Sequence, residues 1–208
     1  MTSRRSGRPS LAPEQQAQMR EKILSCAQRR FAEQGVEAVS MRRIAQDVGC
    51  SPMALYRYVG SKQEILRHIW AGFFEALFAE LEQIAAATPE PADRLRALCA
   101  GYLRYWTRHP EQFCMIFLNV DHTSDSEQHF VDSSDVIERF GLFEQALQQA
   151  QLGGEVRAGD ARLMGEVLMA GLNGLLLHVV TIPEYPWQRL EASLDQLMML
   201  LWRRTVPV

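Results

Sequence analysis

The chain has little that would mark a catalyst or an exported protein. Its four cysteines, Cys26, Cys50, Cys99 and Cys114, are far apart and make no CxxC pair. That spacing suits reduced thiols in the cytosol better than a disulfide framework or a thiolate zinc site. No Gly-rich phosphate loop and no nucleophile motif occurs, so neither a cofactor nor an enzymatic activity is expected. His122 and His129 lie among Asp121, Asp125 and Asp132 at the spacing of no ligand template, which reads as a polar loop; no metal is expected. His109, next to Pro110, reads as a helix end and not as a base. The N-terminus MTSRRSGRPS has no apolar run after it and is unlike a signal peptide. The longest apolar stretch, Val167 to Ile182, is interrupted by Asn173 and His178 and stops at Pro183. It is too short to span a bilayer and is expected to be a deeply buried helix. Alternating strand patterns and internal repeats are also missing, so the expected fold class is all-α.

Net charge is small as well, −3 over 208 residues, but it is unevenly placed. Residues 1–62 hold eleven Lys/Arg and five Asp/Glu, net +6, whereas residues 63–208 hold eleven and twenty, net −9. A basic head on an acidic body suggests a polyanionic partner for the head, with nucleic acid the leading one. At 47% hydrophobic the chain can bury a good core.

The basic segment carries a strong local signal, SMRRIAQDVGCSPMALYRYVGSKQEIL, Ser40 to Leu66. Ser40 can cap a helix from Met41 to about Val48, which Gly49 ends. Ser51 followed by Pro52 starts a second helix, with proline where its missing N–H costs nothing. Ser61-Lys62-Gln63-Glu64 is a capping box that starts a third. Two short helices about a glycine turn form the helix-turn-helix pattern. Ile44, Ala45, Val48, Leu55 and Val59 are expected to hold the pair together, leaving Arg42, Arg43, Met53, Ala54, Tyr56, Arg57, Tyr58 and Lys62 outward.

Helical periodicity covers most of the remainder. A first helix is expected from about Pro13 to Gln34, stopped by Gly35, and a long one from Ser61 to before TPEP. Leu95 to Trp106 mark another, broken near His109-Pro110, after which FCMIFLNV is a short apolar segment. Residues 121–135 read as a loop. Val136, Phe140, Phe143 and Leu147 mark the next helix, which the glycines at 153 and 154 end. Two last helices are expected from about Asp160 to Ile182 and from about Trp187 to Arg204. On the penultimate helix Gly165, Ala170, Gly171 and Gly174 would allow close approach of another helix. On the last, Leu190, Leu194, Leu197 and Leu201 form an apolar stripe.

The stretch GVEAVSMRRIAQDVGCSPMALYRYVGSKQEIL, with the RRFAEQG that ends the first helix, resembles the DNA-binding head of the tetracycline-repressor (TetR) family of bacterial transcription regulators. The resemblance is close over about residues 18–70. It implies an arm over 1–12, a helix-turn-helix head over 13–62 with its motif at 40–59, and a helical-bundle body for ligand binding and dimerisation over 63–208, joined to the head by a long helix. It further implies a cytoplasmic, nucleoid-associated regulator, most often a repressor. Such a protein binds a palindromic operator as a homodimer and is released by a small molecule.

Residue roles follow by motif position. Tyr56, Tyr58 and Lys62 match backbone contacts: a phenol can donate to a phosphate oxygen, and Lys62 adds charge at a helix start. Arg42 and Arg43 are candidates for a phosphate or a guanine edge, with Arg42 at the position that matches a base contact; Arg57 is the best hydrogen-bonding reader in the second helix, with a phosphate as its alternative partner. Ser51, Pro52, Met53 and Ala54 lie at its front, where the apolar members can touch thymine methyls. Arg4, Arg5 or Arg8 of the arm could enter a minor groove, or the arm could be a solubilising tail. Trp106, Phe113, Met115, Phe117, Phe130, Phe140 and Phe143 are candidates for an effector cavity, which with so few charges would suit an apolar or aromatic ligand; each also fits plain core. Gly171, Gly174, Leu190, Leu194, Leu197 and Leu201 are candidates for a four-helix dimer interface, against intrachain packing. The competing expectation is a helical ligand-binding or scaffold protein whose head binds protein.

Overall fold

The computed structural model describes residues 13–118, 135–182, 184 and 189–202. Its helices are α1 (Pro13–Gln34), α2 (Met41–Val48), α3 (Pro52–Tyr58), α4 (Lys62–Ala87), α5 (Pro91–Arg108), α6 (Pro110–Phe117), α7 (Val136–Leu152), α8 (Ala161–Thr181) and α9 (Leu190–Met199). Among the described residues the only β pairing is an isolated antiparallel bridge between Val156 and Trp202. The all-α expectation holds. The chain divides into two compact units, Met1–Trp70 and Ala71–Val208, with the boundary inside α4. It falls further along that helix than the capping box alone indicates, because Ile65, Leu66 and Ile69 of the first turns of α4 are buried.

In the first unit the start and stop signals act as their chemistry requires. Ser40 Oγ accepts the Arg43 N–H at 3.2 Å and Ser51 Oγ accepts that of Ala54 at 3.1 Å. Each satisfies a backbone donor that the first turn of a helix leaves unpaired. Gly49 takes φ 77°, a left-handed conformation in which a side chain is strained, and lets the chain leave α2 for α3. Beneath this turn Ile23, Ala27 and Phe31 of α1 are buried, as are Met41, Ile44, Ala45 and Val48 of α2 and Leu55 and Val59 of the α3 segment. Each large member stabilises the fold by about 1.5–3 kcal/mol.

The second unit is organised around α5, which packs against α6, α7, α8 and α9. FCMIFLNV, expected only as a short apolar segment, is helical through Phe117: Pro110 occupies the first turn of α6 and His109 is the hinge residue between α5 and α6. The interior holds a connected aromatic cluster. Phe140 meets Phe78 edge-to-face at 5.0 Å, and Trp106 lies edge-on to Tyr102, Tyr105 and Phe113. Helix α8 starts at its expected cap, Asp160, whose carboxylate accepts the N–H groups of Arg162 and Leu163. Helix α9 is shorter than expected and ends at Met199. The chain then turns so that the Arg157 N–H donates to Leu201 O at 3.0 Å.

Candidate functional site

The outward face of α2 and α3, together with the first residue of α4, carries the residues that the sequence pattern assigns to it. Arg42, Arg43, Ser51, Pro52, Met53, Tyr56 and Arg57 are exposed, and Ala54, Tyr58 and Lys62 are half-buried. Met53 is 81% exposed, an apolar side chain projecting from the first turn of α3 with no core to fill. Among the described residues Arg42, Arg57 and Lys62 make no ion pair, so their charge is unneutralised. This is a cationic, phenol-bearing ridge on a pair of capped helices, a shape and charge that suit the major groove and its flanking phosphates.

Several polar side chains that sequence spacing did not single out hold this ridge in place. Lys22 Nζ of α1 donates to Val48 O at 3.0 Å, at the end of α2 where carbonyls lack helical partners. Arg30 Nε of α1 donates to Asp47 Oδ2 at 2.7 Å, and Arg43 Nε lies 3.5 Å from Asp47 Oδ1. The Arg30 hydrogen bond, and then the charges of Arg30 and Arg43, hold the Asp47 carboxyl below the usual carboxylate range. Glu64 completes the capping box. Ser61 Oγ accepts its N–H at 3.0 Å, its Oε2 accepts the Gly60 N–H at 2.8 Å, and its Oε1 pairs with Arg20 Nη2 at 3.2 Å. Arg20 also meets His68 Nε2. Burial, and then the Arg20 charge, push the His68 imidazole below its ordinary value. The capping box and the Arg43–Asp47 pair, one helical turn apart, are local in sequence; the pairs made by Arg20, Lys22 and Arg30 join positions far apart in the chain.

The residues assigned to an effector cavity take a different place. Trp106, Phe113, Met115 and Phe143 are buried, with Trp106 against Phe113 and Phe143 against Tyr102 in the aromatic core. Phe140 is half-buried, and Phe117 lies at the surface beside Phe113. Phe130 lies outside the described residues, as do Arg4, Arg5, Arg8, His122 and His129. Aromatic side chains at helical spacing fill a core as readily as they line a cavity. A polar feature of this region is Tyr102, whose hydroxyl donates to Asn173 Oδ1 of α8 at 2.8 Å. Burial raises its phenol far above the ordinary value. Among the described residues a cavity of about 460 Å³ lies elsewhere, among Ala85, Ala86, Pro89, Arg94, Leu142, Gln145, Ala146 and Gln149.

The residues assigned to a dimer interface also divide. Leu194 and Leu201 are buried by their own chain, Leu190 and Leu197 are half-buried, and Gly171 lies against Leu197 of the same protomer. Leu194, Leu201 and the Gly171–Leu197 contact thus pack within the protomer, while Leu190 and Leu197 keep part of their surface open. Gly174 differs: nothing lies within 4 Å of the position a side chain would take there. It belongs to a row that includes the exposed Leu163, Val167, Ala170 and Leu177, all at the alternating three- and four-residue spacing of one helix face. Helix α8 was expected to be deeply buried, yet only 28% of its most apolar stretch is buried. By length and composition the 21-residue helix would also cross a membrane, a test that core helices of soluble proteins meet as well.

Comparison with known proteins agrees with this geometry. Residues 23–69 match the sequence model of the family described as bacterial regulatory proteins, tetR family. The chain is 35% identical over 79 residues to the transcriptional repressor KstR2 of Mycobacterium tuberculosis, a match covering 38% of this chain and 40% of the relative. It is 32% identical over 115 residues to the repressor NicS of Pseudomonas putida, covering 53% and 51%. The chain thus spans only about two fifths to one half of the length of these curated relatives. Among solved structures, the TetR-family regulator PfmR of Thermus thermophilus superposes with a TM-score of 0.66 at 26% identity, over 89% of this chain and 99% of that one. Residues 23–69 of this chain thus match the tetR family of bacterial regulatory proteins, and the chain has the fold of that family's solved members.

Proposed function

We propose that the protein is a cytoplasmic transcriptional regulator of the repressor type, which binds a palindromic operator as a homodimer and is released by a small apolar or aromatic molecule. The observation that carries this reading is the unpaired cationic and phenolic ridge of Arg42, Tyr56, Arg57 and Lys62 on a capped helix-turn-helix. A protein-binding head would not require this set. Phosphate neutralisation by such groups supplies sequence-independent affinity, and arginine in the major groove supplies choice among bases.

Homodimerisation is supported by the open apolar row on α8. A row of this kind, left to water, favours association, and a second copy with the same row is self-complementary about a two-fold axis. Small residues at Ala170 and Gly174 would let the two helices approach closely. For the effector, the support is the apolar body itself, in which Phe117 and Phe140 border the aromatic core.

The deciding experiment is an electrophoretic mobility shift with the duplex upstream of the protein's own gene, against a shuffled duplex, over a range of salt. A specific shift by a folded dimer is expected; no specific shift at any salt would favour the scaffold alternative. Effector candidates are then titrated by tryptophan fluorescence with and without operator. A releasing ligand must bind less tightly in the presence of operator, by the same factor by which it weakens operator binding.

A further inference from the structure

We infer that Asp47 and Arg30 are positioning residues for DNA recognition, which fix the guanidinium of Arg43 so that it discriminates among sequences and does not merely attract phosphate. This rests on the assignment of the α2–α3 ridge to DNA. Three residues form the relay. Arg30 on α1 has a side chain only 19% exposed, and its Nε donates to Asp47 Oδ2 at 2.7 Å. Asp47 on α2 has a side chain only 15% exposed, and its other oxygen, Oδ1, lies 3.5 Å from Arg43 Nε, one helical turn back. Arg43 is 51% exposed. The first link orients the carboxylate, and the carboxylate in turn restrains the inner nitrogen of Arg43. The terminal nitrogens of Arg43 remain for a partner outside.

The arrangement has a chemical logic. A carboxylate beside a DNA-facing surface repels phosphate, so an acid in this place works against general affinity. Arg30 offsets its charge from below and leaves it as an anchor for Arg43. A guanidinium reads a guanine edge or a phosphate with two parallel hydrogen bonds, and these demand a fixed plane. An arginine free to rotate pairs with phosphate anywhere along the duplex. Restraining Arg43 therefore sacrifices some unspecific attraction and increases the difference between correct and incorrect sequences.

The test is a double-mutant cycle on the full chain with a duplex selected from a random pool by the wild type. The wild type, Asp47→Asn, Arg43→Ala and the double variant are each titrated with that duplex and with a shuffled one. Removing the Asp47 charge raises affinity for all DNA alike, and this cancels in the ratio of the two affinities. The expected result is that Asp47→Asn lowers the ratio up to about fivefold in the wild-type background, the range of a part-exposed ion pair. It should leave the ratio unchanged when Arg43 is already alanine. A merely structural role in joining α1 to α2 would lower the ratio equally in both backgrounds, and that outcome overturns the inference, as does an unchanged ratio in the folded single variant. Should Asp47→Asn fail to fold, Arg30→Gln replaces it in the same cycle with the same expectations. Failure of the wild type to select any duplex overturns the DNA assignment itself, and this inference with it.

Discussion

Gly171 of α8 faces Leu197 of α9 so closely that a methyl group on Gly171 would lie 2.7 Å from Leu197 Cδ1 and 2.8 Å from Cδ2. The two helices of one protomer are therefore packed so closely that any side chain at this position requires Leu197 to shift. Alanine there must displace both leucine methyls, and overpacking of this kind costs about 1–3 kcal/mol. At Gly165, on the same helix, nothing lies within 4 Å, and alanine gains helix propensity of up to about 1 kcal/mol. Urea unfolding should find Gly171→Ala less stable than Gly165→Ala by about 1–3 kcal/mol. Equal midpoints would show that α9 yields without cost.

The position of a charge on these two helices decides its effect. Val167 is 58% exposed on the apolar row of α8, and Leu194 of α9 is fully buried. Val167→Glu should leave a folded protein with native helix content that sediments as a monomer, since it would bury an unpaired charge only in the association. Leu194→Glu should instead impair folding. Native sedimentation of both variants at micromolar concentration would count against the α8 row as the interface.

Lys62 and Arg57 are expected to fail differently. Lys62, half-buried at the start of α4, should contribute one phosphate contact. Lys62→Ala should then weaken all duplexes alike and reduce the slope of log affinity against log salt by about one unit. Arg57→Ala should relax preference at one base pair in each half-site, by roughly 1–3 kcal/mol if its contact is bidentate. Equal loss on specific and shuffled DNA would reassign Arg57 to the backbone.

Acidification should act on the head through Asp47. Arg30 holds its carboxyl below the usual range, so the unfolded chain, with a value near 3.9, takes up the proton first. Stability from this group is present above about pH 4 and is lost as pH falls through the lower folded value. The gap in urea midpoint between the wild type and Asp47→Asn should therefore be constant around neutrality and shrink below about pH 4. A gap that persists undiminished to pH 3 or so would mean that the pairing with Arg30 contributes nothing to stability.

The sequence by itself determined the helices of the head, their caps and the outward ridge, because these depend on local chemistry. A serine hydroxyl meets an N–H three residues on, a glycine takes a positive φ, and a 3.6-residue period separates Ile44 and Val48 from Arg42 and Arg43. It determined the all-α body for the same reason. Tertiary structure alone decided what each apolar residue faces. Trp106, Phe113 and Phe143 had the composition of a cavity wall and became core, since an aromatic ring satisfies either role. Leu194 and Leu201 had the spacing of an interface and became the seam between α9 and its own chain, leaving Leu163, Val167 and Leu177 open instead. Both faces of α8 are apolar, so periodicity could not choose between them. The Arg30–Asp47–Arg43 relay was equally hidden, because one of its links joins two helices and depends on how those helices lie against each other.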